Sequence, residues 1–325
     1  MIAAPVAENK LCCACAVSSI SHSVISPSAI NSVRLLATKE FGDRFRSGWV
    51  LACILVWLGA IGLTSFLGLL QIGRIGVLGY ERTVISLLNL VQYLVPLLGL
   101  LLGHDLIVSE NEERTLRLVL AGGISRTRLI LGKFVGGCLT LAVPLLLGFA
   151  LAGAVIGLTA RDSGITPFLR LALSGLVLGF VFLAVGLGLS VFARTRVQAL
   201  VAALLTWCLV VFVFDLVALG FLVSHHAPAA AREIELVCDA THLNAAADPH
   251  SAFDTGEANA PKRAEAAVSG SLGMLALNPV DVFRAVNLSR ELGLNVGWLW
   301  TATAVMLWVA LPLSASLWRF HRNDL

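Results

Sequence analysis

The sequence predicts an all-α integral membrane protein with six transmembrane helices preceded by an amphipathic elbow helix. Three observations lead there. Of 325 residues, 58% are apolar and 13% charged, where soluble proteins carry roughly 25% charged residues, and mean hydropathy is +0.87. Apolar runs of about 20 residues, the length that crosses a bilayer core, recur six times. Lys and Arg are divided unevenly between the two sets of connections, as they are when one set is held in the cytoplasm. A net charge of +3, with the basic residues scattered among span ends, gives no nucleic-acid footprint.

In chain order, residues 1–30 read as a disordered, Ser-rich extension. Cys12, Cys13 and Cys15 lie close enough there to share a soft metal, although a plain extension needs no such role. Residues 31–46 mix Val33, Leu35, Leu36, Phe41 and Phe45 with Arg34, Lys39, Glu40, Asp43, Arg44 and Arg46, too much charge to cross lipid, and predict a helix on the membrane surface. Spans follow over about 49–70, 84–106, 129–158, 168–192 and 197–223, and the sixth over 298–318 within a terminal unit 297–325. Between the fifth and sixth, residues 224–296 form one long loop, mostly Ala-rich and polar.

Orientation follows from the basic residues. Lys10, Arg34, Lys39, Arg44, Arg46, Arg114, Arg117, Arg126, Arg128, Lys133, Arg194, Arg196, Arg319 and Arg322 fall on one side, and only Arg74, Arg82, Arg161 and Arg170 in the short loops opposite. An even number of spans then puts both termini in the cytoplasm and the long loop outside.

The densest charge lies between the second and third spans. Glu110 and Arg114, and Glu113 and Arg117, are i, i+4 pairs beside an apolar strip of Leu116, Val119 and Leu120, so a short cytoplasmic helix would present an apolar knob ringed by charge. An ordinary solvated loop helix would show the same pattern. The wording of the segment goes further. A Glu-rich stretch (Glu110, Glu112, Glu113), Thr115-Leu116, the run Leu118 to Leu120, Ser125-Arg126 and Gly132-Lys133 resemble ABC-2 type permeases in register. Arg114 stands where that family usually has Gly, and Gly123 where it usually has Pro. The resemblance implies the type V permease fold, a multi-pass place in the bacterial inner membrane, pairing as a homodimer, and a coupling helix that seats in a separate ATPase subunit. Leu101-Leu-Gly-His-Asp105 and Leu277-Asn-Pro-Val-Asp-Val-Phe-Arg284 are similar, more narrowly, to permeases of nitrous oxide reductase maturation, which work with an ATPase and a periplasmic copper-binding protein.

No Gly-rich phosphate loop occurs, since Gly132-Lys133 is followed by Phe134 and has no Gly five residues before Gly132. Nor is there a Gly-x-Ser-x-Gly elbow or a helical His pair with an intervening Glu. The chain therefore reads as a non-catalytic subunit with no cofactor of its own, ATP and Mg belonging to the partner ATPase. His225, His226, His242, His250, Cys238 and Met274 in the loop read as solvated residues rather than a copper site, and no metal site is assigned. A generic ABC-2 exporter of drug, lipid or glycan, and a membrane scaffold without transport, are the alternatives.

Two polar features complete the reading. Asp215, deep in the fifth span, would cost at least about 2.5–3.5 kcal/mol unpaired in lipid, so it should face protein or a cavity. Asn278-Pro279 should open a short outer helix with Asp281 near its amino end, Phe283 and Val286 buried and Arg284 near the surface. With Asn278, Pro279, Asp281, Phe283 and Arg284 that helix would form part of a platform for a periplasmic partner, a plain membrane-surface helix being the other reading.

Overall fold

A computed structural model describes residues 27–72, 78–113, 125–159, 166–216, 278–288 and 297–322. These form helices α1 (Pro27–Phe45), α2 (Gly48–Ile72), α3 (Leu78–Gly103), α4 (Val108–Glu112), α5 (Arg126–Thr159), α6 (Thr166–Phe192), α7 (Arg196–Cys208), α8 (Pro279–Leu288) and α9 (Trp298–Arg322). No strand occurs among the described residues. Helices α2, α3, α5, α6 and α9, and α7 with its continuation to Leu216, are long and apolar enough to cross a membrane, so the molecule is a multi-pass membrane protein. The spans match the expected positions within a few residues except the fifth, whose described part ends at Leu216.

Local chemistry sets the helix starts. Ser125 Oγ accepts from Arg128 N, Thr195 Oγ1 from Gln198 N and Asn278 Oδ1 from Val280 N at 2.9 Å, each satisfying an amide that a helix start leaves free. Pro96, Pro144 and Pro312 lie inside α3, α5 and α9, a position tolerated in spans because neighbouring groups satisfy the freed carbonyl.

Helix α6 is the centre of the bundle, packing on α3, α5, α7, α8 and α9. Its contact with α3 depends on glycine. A Cβ at Gly103 would lie 2.7 Å from the Leu183 carbonyl oxygen and 2.8 Å from Gly186 Cα, and one at Gly99 would lie 2.8 Å from the Gly179 oxygen. The two backbones touch, which in lipid replaces the hydrophobic drive absent between apolar helices. Trp57 fills the space left by Gly148 and meets Phe149 edge-on at 5.7 Å.

The elbow helix differs from expectation in what it turns inward. It packs along α5, where Leu36 lies over Gly132 and Glu40 over Gly136, while Leu35 stays 71% exposed. Glu40 and Arg44, read from sequence as surface charge, lie on the face toward the bundle.

Candidate functional site

Two polar centres lie at opposite ends of the spans. Arg196 belongs to one and Asp215 to the other, nineteen residues apart along the span that α7 begins and that runs to Leu216, about 28 Å at 1.5 Å per residue and close to the thickness of a bilayer core.

The first centre holds the start of the charged segment. Helix α3 stops at Gly103, the chain turns through His104 to Ile107, and α4 follows. Ser190 Oγ of α6 accepts from both Ile107 N and Val108 N at 2.9 Å, satisfying two amides at the new helix start. His104 Nδ1 lies 2.7 Å from the Leu101 carbonyl oxygen, so Nδ1 carries the proton and donates. His104 thus bonds the end of α3.

Lys133 is the buried cation of this centre, with a side chain only 2% exposed. Its Nζ donates to Glu40 Oε2 at 3.2 Å and lies 2.9 Å from Glu110 Oε1, joining α1, α5 and the α4 segment. Glu40 also receives Arg44 Nε at 2.6 Å, and Arg44 Nη1 donates to the Leu102 carbonyl at 3.3 Å. Burial works to raise the Glu40 carboxyl, but the Lys133 and Arg44 cations hold it below its ordinary value. Beside this group, Arg196 takes three carboxylates. Its Nε lies 3.6 Å from Asp105 and 3.2 Å from Glu112, its Nη2 meets Glu113, and its backbone N–H donates to Glu112 Oε1 at 2.8 Å.

Thus the described partners of Glu110, Glu112 and Glu113 come from α5 and α7, in addition to whatever the local i, i+4 pattern supplies. Arg114, Thr115, Leu116, Arg117, Val119 and Leu120 lie outside the described residues, and Ser125 and Arg126 open α5 where the segment returns. At the same end Arg319 stacks on the Phe192 ring at 4.6 Å. Arg44, Lys133, Arg196 and Arg319, four of the basic residues assigned to one side, therefore share one end of the bundle.

The second centre seats α8. Asn278 is buried, and its Nδ2 donates at 3.1 Å to the carbonyl of Val210. That carbonyl belongs to a π-helical turn, Leu209–Val213, continuing α7. A π turn widens a helix by one residue, which frees carbonyls and rotates everything beyond it by about 100°. Asp215 follows directly and faces Arg284, with Nη1 to Oδ1 and Nη2 to Oδ2 both 2.7 Å. Arg284 Nε donates to Gln92 Oε1 of α3 at 2.7 Å, and Nη1 also reaches Asp281 at 3.2 Å. Asn287 Nδ2 completes the seat by donating to Ser174 Oγ of α6 at 2.9 Å.

Asp215 therefore faces protein, but Arg284 does not stand near the surface as the sequence reading had it. Its side chain is 25% exposed and turned inward, because a bidentate carboxylate is available there. Phe283 is buried, as expected. Asp281 carries an acidity shift of its own: burial pushes its carboxyl above the ordinary value despite Arg284. Cys12, Cys13, Cys15, the loop histidines, Cys238 and Met274 lie outside the described residues, as does most of 224–296. Among the described residues no cluster of His, Cys, Asp or Glu is placed to hold a metal.

Comparison with known proteins agrees with this architecture. The model of the "ABC-2 family transporter protein" family matches residues 34–325. The chain is similar to a protein of Pseudomonas aeruginosa described as "Probable ABC transporter permease protein NosY", at 32% identity over 303 residues covering 87% of this chain and 96% of that protein. It is also similar to a protein of Stutzerimonas stutzeri of the same description, at 39% identity over 199 residues covering 60% of this chain and 72% of that one. With six apolar spans, an elbow helix braced on them and a family match over nine-tenths of its length, the chain belongs to the ABC-2 transporter family.

Proposed function

We propose that this chain is the NosY-like permease subunit of an ABC transporter, non-catalytic itself, lying in the bacterial inner membrane with both termini in the cytoplasm. It pairs with a second copy of itself and with two copies of a NosF-like ATPase, which hydrolyse ATP on Mg. The centre around Lys133 and Arg196 is then cytoplasmic, and α8 is periplasmic. The observation that supports coupling at the cytoplasmic end is the anchoring of the charged segment. Glu110 is tied to α5 and α1 through Lys133, and Glu112 and Glu113 are tied to α7 through Arg196. A load applied to residues 114–124 would reach three spans through these ties and through Ser190 of α6.

At the other end, α8 serves a NosD-like periplasmic copper-binding partner. Asp281 and Arg284 act by holding α8 in place, since both side chains face inward. The work delivered supports copper-site maturation of nitrous oxide reductase, by moving that partner or by exporting a sulfur species.

Co-purification from the native membrane tests the reading. Wild type should bring down an ATPase and a periplasmic copper-binding protein, and Leu116→Asp should lose the ATPase, because it puts a charge into an apolar contact. An ATPase without the copper-binding protein would favour the generic exporter, and no ATPase with wild type would favour the scaffold. Full ATPase retention by Leu116→Asp would remove this segment as the docking element.

A further inference from the structure

A cavity of about 540 Å³ lies between α6, α8 and α9, beside the seat of α8 and away from the centre around Lys133 and Arg196. Its walls are apolar: Leu173, Val177 and Val181 of α6, Phe283 of α8, and Val305 and Trp308 of α9. It is open on one side rather than sealed, and it lies in a bundle whose solvent is lipid. Cationic Arg170 stands at one end only, one turn into α6, and no ion pair to it is present among the described residues. The volume falls within the roughly 300–1,000 Å³ of small-ligand sites.

Its length is informative. The α6 lining runs from Thr166 to Val181; the part from Arg170 inward is eleven residues, about 16 Å, against about 15 Å for half of a 30 Å hydrocarbon core. The groove thus runs the depth of one leaflet, with its single positive charge where that leaflet's headgroups lie and none along the rest of its length. An apolar slot one leaflet deep with a cation at its mouth matches an amphiphile that carries a negative headgroup on an acyl chain.

We propose that the α6–α8–α9 groove is a binding site for an anionic phospholipid, one acyl chain lying along Leu173, Val177 and Val181 and the headgroup on Arg170. A lipid seated there would touch Phe283 and so bear on the helix that Arg284 fastens to α3 and α7. This inference rests on the chain spanning a membrane and not on the ATPase-coupling reading, so either can fail alone.

The test uses the full chain in nanodiscs of equal phosphatidylglycerol and phosphatidylcholine, with the lipid retained after extraction counted by native mass spectrometry. Wild type should retain phosphatidylglycerol over phosphatidylcholine by about fivefold, the factor one arginine near a headgroup supplies. Arg170→Gln should bring the ratio close to one, Arg170→Lys should keep most of it, and Val177→Trp should reduce retention of both lipids by filling the slot. Equal retention by wild type, or an unchanged ratio in Arg170→Gln, overturns the site. So does efficient disulfide cross-linking of Val177→Cys between two chains in the membrane, which would mean that a second copy covers the groove.

Discussion

The two polar centres fasten short helices to the same bundle by different chemistry. At the α4 end, charge is shared. Lys133 meets two carboxylates and Arg196 meets three, with distances from 2.8 to 3.6 Å among those of ordinary length. At the α8 end, geometry is matched: the two prongs of a planar guanidinium face the two oxygens of Asp215 at 2.7 Å, Nη1 also reaches Asp281 at 3.2 Å, and Nε finds Gln92 at 2.7 Å. Shared charge leaves room to exchange partners, whereas a fork fits in one orientation. The first arrangement suits a segment that takes up load, and the second suits an element held in fixed relation to the spans.

Lys133 carries the largest expected effect. Replacing it by Met would take the shared cation from between Glu110 and Glu40, which keeps Arg44 at 2.6 Å, in a site where the lysine is 2% exposed, and breaking such a buried group costs roughly 3–5 kcal/mol. In detergent, Lys133→Met should therefore lower the melting temperature by many degrees. Adding Glu40→Gln should recover part of the loss, because the repulsion between the Glu40 and Glu110 carboxylates is then removed. If the double variant is no better than the single one, Lys133 acts through packing alone and the shared-charge description fails at its centre.

The fork gives the next largest effect. Asp215 and Arg284 are 30% and 25% exposed, so solvent screens them in part, and loss of the fork should cost roughly 2 kcal/mol rather than the 3–5 of a fully buried pair. Arg284→Lys keeps the charge but gives up the parallel bonds and the link to Gln92. It should increase hydrogen exchange along α8 nearly as much as Arg284→Gln does. Wild-type protection in Arg284→Lys would show that charge, not fit, holds α8, and the distinction between the two ends would disappear.

How far these centres could be read from sequence follows from the range of their contacts. The spans and the helix start at Asn278-Pro279 were legible because length, apolarity and the backbone limits around proline are local. Asp215 was legible as a group needing protein around it, since a lone carboxylate in a span is costly. Its partner was not, because Arg284 lies 69 residues further on and the pairing depends on a π turn that no residue in Leu209–Val213 announces. Arg284 was placed at the surface because a short helix with Phe283 and Val286 on one face has its charge on the other in the simplest case. Lys133 was noticed only as part of a motif, for Glu40 is 93 residues away and belongs to a helix whose charges looked solvated.

Acid should separate the two ends. Glu40 titrates below its ordinary 4.5 in the folded chain, because its cations outweigh burial. The stability it supplies is therefore full above that value and is lost as pH falls through the lowered one. Asp281 runs the other way. Burial raises it above 3.8, so in the window above 3.8 the folded chain holds a proton that the unfolded chain has released, and stability declines as pH rises through it. On a stability profile from pH 3 to 7, Glu40→Gln should flatten the acid limb. Asp281→Asn should instead improve stability toward neutral pH. An Asp281→Asn variant destabilised across the whole range would mean that its bond to Arg284 outweighs its burial.

The smallest effect belongs to Arg196, and it tests whether the α4 end is internally graded. Its side chain is 43% exposed, against 2% for Lys133, and exposed ion pairs are typically worth about 0.2–1 kcal/mol. Arg196→Gln should therefore cost about 0.5–1 kcal/mol at low salt and close to nothing near 1 M, where the screening length falls to about 3 Å. Arg196→Lys should be nearly neutral, unlike Arg284→Lys, because none of its contacts is a matched fork. Its backbone N–H keeps the bond to Glu112 whatever the side chain, so α4 should stay on α7 in either variant. The measurement is the melting temperature of each variant against salt. A loss at Arg196→Lys as large as that at Arg284→Lys, and insensitive to salt, would show that the α4 end is as rigid as the α8 end and that its carboxylates do not exchange.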